Sequence, residues 1–258
     1  MKLVCGVEYD GSKYYGWESH IKKYSIKSKL EYSISKIANE DITIFCAGRT
    51  DSGVHAINQV IHFETKVFRE IHSWIFGINS FLPKDISIIW AKYVSHKFHA
   101  RYSAISRSYR YIIYNSDIRS SILRNNVNHV FCNLDVNRMN ISSQSLIGEH
   151  DFSSFRASGC QSFTPWREIK NIKVYKYKKF FIIIDITANS FLYHMVRNIV
   201  GCLIEIGRFK KKKSWLSDLL KLRNRSLSGP TVQSKGLYLL SVKYSKKFNI
   251  KNNNFFFL

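Results

Sequence analysis

Apolar and polar residues alternate at the start of the chain. LVCGVEYDG, residues 3–11, reads as a β-strand running into an Asp10-Gly11 turn. The period then lengthens: Ile26, Leu30, Ile34 and Ile37 fall on one face of a helix, with Ser25 placed to cap it. ITIF (42–45) predicts a short strand and QVIHFET (59–65) a longer one. Ile71, Ile75, Ile78 and Leu82 mark a second helix stopped by Pro83, and ISIIWAKYV (86–94) is a further strand. The order is β-α-β-β-α-β.

A similar order follows. SYRYIIYN (108–115) is a strand, and Val136, Met139 and Leu146 suggest a helix. IKNIKVYKYK (169–178) and FFIIIDITA (180–188) read as a strand pair. Leu192, Met195, Ile199, Leu203 and Ile206 form a helical stripe, WLSDLLKL (215–222) a short extra helix, and GLYLLSVKY (236–244) a closing strand. The expected class is α+β, with two ferredoxin-like halves whose mainly antiparallel sheets flank a central cleft. The expected division is 1–100 and 101–258.

Charge sharpens this picture. The 258 residues carry 40 Lys+Arg against 18 Asp+Glu, a net +22. That surplus predicts attraction to a polyanion, most often nucleic acid; a plainer source is the chain's bias toward Lys, Asn and Ile. Hydrophobic residues make up 45%, which excludes a disordered basic arm. Cys5, Cys46, Cys132, Cys160 and Cys202 form no Cys-x-x-Cys pair, which argues against zinc and against a disulfide framework. Glu8 and Asp10 interrupt any signal-peptide core, and Asp185, Asn189 and His194 break the most apolar stretch. A cytoplasmic protein without metal or membrane span is expected.

CAGRTDSGVHA, residues 46–56, is where chemistry is expected. Asp51-Ser52-Gly53 is a common turn sequence, and its plain reading is a hairpin-like turn with a solvated carboxylate. Arg49 and His55 pull the other way, since a neighbouring cation keeps a carboxylate ionised. An ionised Asp facing RNA phosphates needs such support.

GRTDSGVHA resembles the signature of the tRNA pseudouridine synthase A family. So, in order, do GVEYDGSKYYGW near the N-terminus, FHARYSA (98–104), YRYIIYN (109–115), GEHDFSSFRA (148–157), TPWR (164–167) and HMVRNIVG (194–201). The similarity spans essentially the whole chain. It implies a cofactor-free isomerase that converts uridine to pseudouridine on the 3′ side of the tRNA anticodon stem and loop, working as a homodimer. The family's essential aspartate maps to Asp51, the nucleophile. A carboxylate can add to an electrophilic carbon and leave again. Attack on C1′ of the ribose, addition to the ring and help in proton removal from C2′ stay open, with a role at the sugar favoured. Extruding the base costs a few kcal/mol. The resemblance gives Arg49 the gap or the backbone phosphate, and makes Tyr109 the active-site tyrosine that stacks on uracil or moves a proton. Arg197, in an apolar stripe, needs a carboxylate partner, and the resemblance proposes Asp51.

His55 is a candidate substrate contact, though a turn histidine is more often a structural hydrogen-bonder. His194 is expected on a helix face. Arg101, Arg107, Arg110, Arg156 and Arg167, with Lys22, Lys23 and Lys27, are candidate phosphate contacts. The run Lys210–Lys213 is as consistent with a solvated loop. The chain departs from the family pattern at Glu18-Ser19-His20, at Ile57-Asn58-Gln59-Val60, where Asn58 is expected to keep a left-handed turn, and at Thr231–Lys235. Those changes touch the details of tRNA contact. Two other classes compete: a non-catalytic tRNA-binding chaperone, and a hydrolase using Asp51 as base. The intact Asp51, Arg49, Tyr109 and Arg197 weigh against the first, and the lack of a second carboxylate or metal set against the other.

Overall fold

The computed structural model describes residues 1–19, 21 and 24–250. His20, a departure from the family pattern, and Lys22 and Lys23, candidate phosphate contacts, lie outside the described residues, as do residues 251–258. The chain forms two compact units, residues 1–107 with 238–258, and residues 108–237.

The first unit runs β1 (Lys2–Tyr9), α1 (Ile26–Ala38), β2 (Phe45–Cys46), β3 (His55–Glu64), α2 (Ile71–Phe81) and β4 (Ile86–Val94). β1 is central and pairs antiparallel with β3 and with β4. Ser25 caps α1 as expected, its hydroxyl accepting from the Ser28 amide at 3.2 Å, a contact worth about 1 kcal/mol. Ile26, Leu30 and Ile34 are buried beneath α1, each stabilising by roughly 1.5–3 kcal/mol relative to exposure.

Three expectations change in this unit. The strand expected over 42–45 is reduced to Phe45–Cys46. β3 starts at His55, so Asn58 is extended and holds no turn; its side-chain oxygen accepts from Trp90 Nε1 at 3.0 Å. In α2 the buried anchors are Trp74 and Ile78, while Ile75 is half-buried. Trp74 wins because it reaches further: its ring meets Phe63 at 5.6 Å and its Nε1 donates to the Tyr93 hydroxyl.

The second unit runs β5 (Ala104–Asn115, beginning in the first unit), β6 (Asn128–Val130), α3 (Val136–Ser143), β7 (Gly148–Asp151), β8 (Trp166–Tyr177), β9 (Phe181–Ala188), α4 (Met195–Gly207) and α5 (Trp215–Leu222). Its strand order is β5-β9-β8-β7, with β6 parallel to β5 and the β7-β8 and β8-β9 pairs antiparallel. Met195, Ile199, Leu203 and Ile206 of α4 are fully buried, the stripe that the sequence predicts.

The last strand, β10 (Leu237–Tyr244), groups from Tyr238 onward with the first unit and runs parallel to β3 through Tyr238–His55 and Leu239–Ala56. The expected division, which places this strand in 101–258, therefore differs from the observed one. The architecture is mixed α+β with mainly antiparallel strand pairing.

Candidate active site

The loop between β2 and β3 carries Arg49 and Asp51, and it is held by backbone and side-chain contacts together. Its base closes where the Ala47 amide donates to Val60 O at 2.8 Å and Gln59 Nε2 donates to Gly48 O at 2.7 Å. Residues 9–17 grip its tip. The Trp17 amide donates to Thr50 O at 2.9 Å, Gly53 N and Ser52 Oγ donate to Tyr14 O, and the Tyr9 hydroxyl lies 2.8 Å from Thr50 Oγ1. Tyr14 is itself anchored by its hydroxyl on Asp85, at 2.5 Å.

Two glycines permit this approach. A Cβ on Gly11 would stand 2.0 Å from Val54 O, and one on Gly16, whose φ is +92°, would stand 2.8 Å from Thr50 O. Side chains do not fit there. Thr50 is therefore buried while Asp51 beside it is half-buried. The YDG and GW pieces of the N-terminal motif thus act as a clamp on the aspartate loop, a role the sequence reading did not give them.

Charge on the loop is balanced by a residue from one of the departures. Arg49 is 58% exposed and its Nε lies 3.0 Å from Glu18 Oε2; Lys27 Nζ takes the other oxygen of Glu18 at 2.8 Å. Lys27, with Arg49 assisting, holds the Glu18 carboxyl below the usual range, although partial burial opposes this. Lys27, expected on a phosphate, thus sits between Glu18 and Glu31.

His55 is 1% exposed. Its ring stacks on Tyr238 at 4.6 Å, and Nδ1 lies 3.1 Å from Asp10 Oδ1 and 3.2 Å from the Gly11 amide. The two contacts compete for one nitrogen: a bare Nδ1 accepts from Gly11, and a protonated one donates to Asp10. Asp10, bonded to His55 and Ser12, is held well below the ordinary carboxylate range. His55 is placed as the structural hydrogen-bonder of a turn.

In the second unit, Tyr109 on β5 is 9% exposed and meets Phe191 edge-to-face at 5.1 Å. Arg197 lies in the first turn of α4, and its Nε donates to Val232 O at 2.8 Å. His194 is the left-handed N-cap of α4 and stacks on Tyr193 at 3.9 Å.

Most of the other arginines turn toward protein oxygens. Arg107, 9% exposed, donates to the carbonyls of Ala47, Arg101 and Ala104. Arg110 meets both oxygens of Asp185, at 2.8 and 3.0 Å. Arg156 donates to Cys160 O and Ser162 O, and Arg167 to Thr164 O and Ser162 Oγ. Arg101 remains exposed, with its guanidinium 5.7 Å from the Tyr102 ring centre. Among the described residues, no group of three His, Cys, Asp or Glu is placed to hold a metal ion, and no helix is long and apolar enough to cross a membrane.

Comparison with known proteins identifies the family. A family model described as tRNA pseudouridine synthase matches residues 6–103 and 143–245, which include Arg49, Asp51, His55 and Arg197 but not Tyr109. The chain is 53% identical over 248 residues to tRNA pseudouridine synthase A of Buchnera aphidicola subsp. Acyrthosiphon pisum (strain APS), covering 96% of this chain and 93% of that one. It is 56% identical over 249 residues to the protein of the same name from Buchnera aphidicola subsp. Schizaphis graminum (strain Sg), covering 96% and 94%. With that of Actinobacillus pleuropneumoniae serotype 7 (strain AP76) it shares 50% identity over 250 residues, covering 97% and 95%.

Proposed function

The chain belongs to the tRNA pseudouridine synthase family, and on that premise we propose that it isomerises uridine to pseudouridine in the anticodon arm of tRNA, with Asp51 as the nucleophile. The reaction is a rearrangement. The bond from ribose C1′ to uracil N1 breaks, the base turns over, and C1′ bonds to C5. N1 gains a proton and C5 loses one, so no atom is added or removed and no cofactor is called for.

We place the Asp51 carboxylate at C1′, where it adds as the glycosidic bond breaks and leaves as the carbon–carbon bond forms. The observation that carries this reading is the clamp: backbone bonds fix Thr50 and Gly53 on either side of Asp51 while Asp51 itself stays half-buried on the same loop as Arg49. A nucleophile held this way reaches its carbon without first ordering its own loop. Arg49 takes the space of the extruded base or the adjoining phosphate, exchanging Glu18 for RNA. Tyr109 stacks on the uracil and serves the proton transfer, and Arg197 keeps Asp51 ionised and aimed.

Arg101 is assigned to a phosphate. Arg107, Arg110 and Arg156 serve the substrate by holding the surfaces that meet it, as does His55. Two ferredoxin-like halves, a homodimer and a cytoplasmic location complete the proposal.

The test is to incubate the purified protein with unmodified tRNA, map pseudouridine chemically, and repeat with Asp51→Ala. Product is expected from the first and none from the second, while the variant still binds tRNA. Product from Asp51→Ala removes Asp51 from the mechanism. Binding without product from the wild-type protein leaves the chaperone reading in its place.

A further inference from the structure

Four aromatic rings gather on the first unit at the foot of the aspartate loop. Phe45 on β2 stacks on His62 of β3, at 5.2 Å and 23°, and lies 5.5 Å from His99. His62 meets His99 edge-on at 4.6 Å, and His99 lies 4.3 Å from Tyr102 at 33°. Beyond Tyr102 stands the Arg101 guanidinium. The outer rings are open to solvent: Tyr102 is 77% exposed and Phe45 49%.

The two imidazoles are fixed in a neutral form. The Ala100 amide donates to His62 Nδ1 at 3.1 Å, and the Arg101 amide to His99 Nδ1 at 3.1 Å, so each of these nitrogens offers a lone pair. Burial, and then the neighbouring charges, push His62 down to about 4 and lower His99 as well. The ladder is therefore a set of uncharged rings, with His62 buried behind the others and the Arg101 guanidinium at its margin. Among the described residues Arg101 has no carboxylate partner, and the nearby Glu64 is taken up by Lys2 at 3.2 Å.

This surface is continuous with the loop that carries Asp51. Cys46 is the only residue between Phe45 and Ala47, and the Arg107 guanidinium donates to both Ala47 O and Arg101 O. We propose that Phe45, His99 and Tyr102, backed by the buried His62, form a stacking platform for an unpaired RNA base next to the nucleotide on which Asp51 acts, with Arg101 on its phosphate. The inference rests on the function proposed above. Charge favours RNA over a second copy of this chain at this face, because the open cation on its edge is Arg101, which attracts a phosphate and would gain nothing from the Arg101 of another copy. Bases of any sequence stack on such rings.

The test is titration of unmodified tRNA at fixed salt into wild-type protein and the variants Tyr102→Ala, Tyr102→Leu, Tyr102→Phe and Phe45→Ala. Sedimentation and melting temperature are followed for each. Tyr102→Ala is expected to weaken binding roughly tenfold without lowering the melting temperature, and Tyr102→Phe to stay within about twofold of wild type. Tyr102→Leu should behave like Tyr102→Ala, because it restores apolar area but no π-face. Phe45→Ala should weaken binding by a similar factor. Wild-type affinity in Tyr102→Ala overturns the proposal, as does full rescue by Tyr102→Leu. A change of oligomeric state in Tyr102→Ala with unchanged affinity assigns the face to a second copy and also overturns it. Pseudouridine formation by the wild-type protein on the same tRNA is scored separately, so loss of the platform and loss of the enzymatic reading are distinct results.

Discussion

The loop 47–54 and the segment 156–167, a loop that runs into the start of β8, look alike in sequence, each short, polar and bearing arginine. Their arginines are used in opposite ways. In the first, bonds to Tyr9, Tyr14, Trp17, Gln59 and Val60, partly through their backbone and partly through side chains, satisfy the loop, which leaves Arg49 58% exposed and Asp51 half-buried. In the second, Arg156 and Arg167 turn back onto the loop's own carbonyls at Cys160, Ser162 and Thr164. A loop held by other segments keeps its charged side chains at the surface; a loop held by its own arginines has used them. An arginine within a family motif is thus no guide to contact until its donors have been followed.

The clamp is the part whose loss has the largest expected effect. Gly11→Ala puts a methyl group 2.0 Å from the Val54 carbonyl oxygen, and neither backbone can yield without moving the aspartate loop. A loss of about 3 kcal/mol in stability is expected, with pseudouridine formation falling further than the unfolded fraction explains. Gly48→Ala, in the same loop but with nothing within 4 Å of its Cβ, is the control and should stay within about 0.5 kcal/mol of wild type. Equal effects of the two in urea unfolding would show that the clamp does not hold the loop.

Next in size is the contrast between two arginines. Arg107→Met strips the donors from Ala47, Arg101 and Ala104 carbonyls at a buried position, with an expected cost of about 2–4 kcal/mol. Arg156→Met frees two carbonyls of a more open loop and should cost about 1 kcal/mol. If Arg156 instead met a phosphate, its loss would reduce the salt slope of tRNA binding by about one unit. Unfolding curves and a salt series on both variants decide this.

Periodicity made the long elements legible. β1, α1 with its Ser25 cap, β5 and α4 stand close to where apolar spacing places them, because each buries a continuous face of its own. The short β6 and β7 have no such face; Gly148–Asp151 is a strand because β8 pairs with it. The parallel pairing of β10 with β3 joins residues far apart in the chain and leaves no local trace. At the site, Asp51 and Arg49 were legible as a motif, whereas the inward turn of Arg107 depends on where Ala47 and Arg101 come to lie. Glu18 was visible only as a departure from the family pattern, and its partner Arg49 is distant in sequence.

That departure gives the smallest expected effect. Glu18 binds Arg49 at 3.0 Å and Lys27 at 2.8 Å, two cations on the surface proposed to meet RNA. Both pairs are partly exposed, with side chains 58% and 24% open against 43% for Glu18, so water and salt screen them. Each is worth no more than about 1 kcal/mol. Glu18→Gln removes the negative charge and keeps the shape, leaving Arg49 and Lys27 to a phosphate without competition. Affinity for tRNA should rise about two- to fivefold at low salt, and the gain should shrink as salt increases. Arg49→Gln in the Glu18→Gln background should erase most of it, because the freed guanidinium is the group that profits. Weaker binding by Glu18→Gln would mean that the carboxylate positions Arg49 for RNA instead of competing for it, and the loop would then resemble loop 156–167 in spending its arginine on the protein.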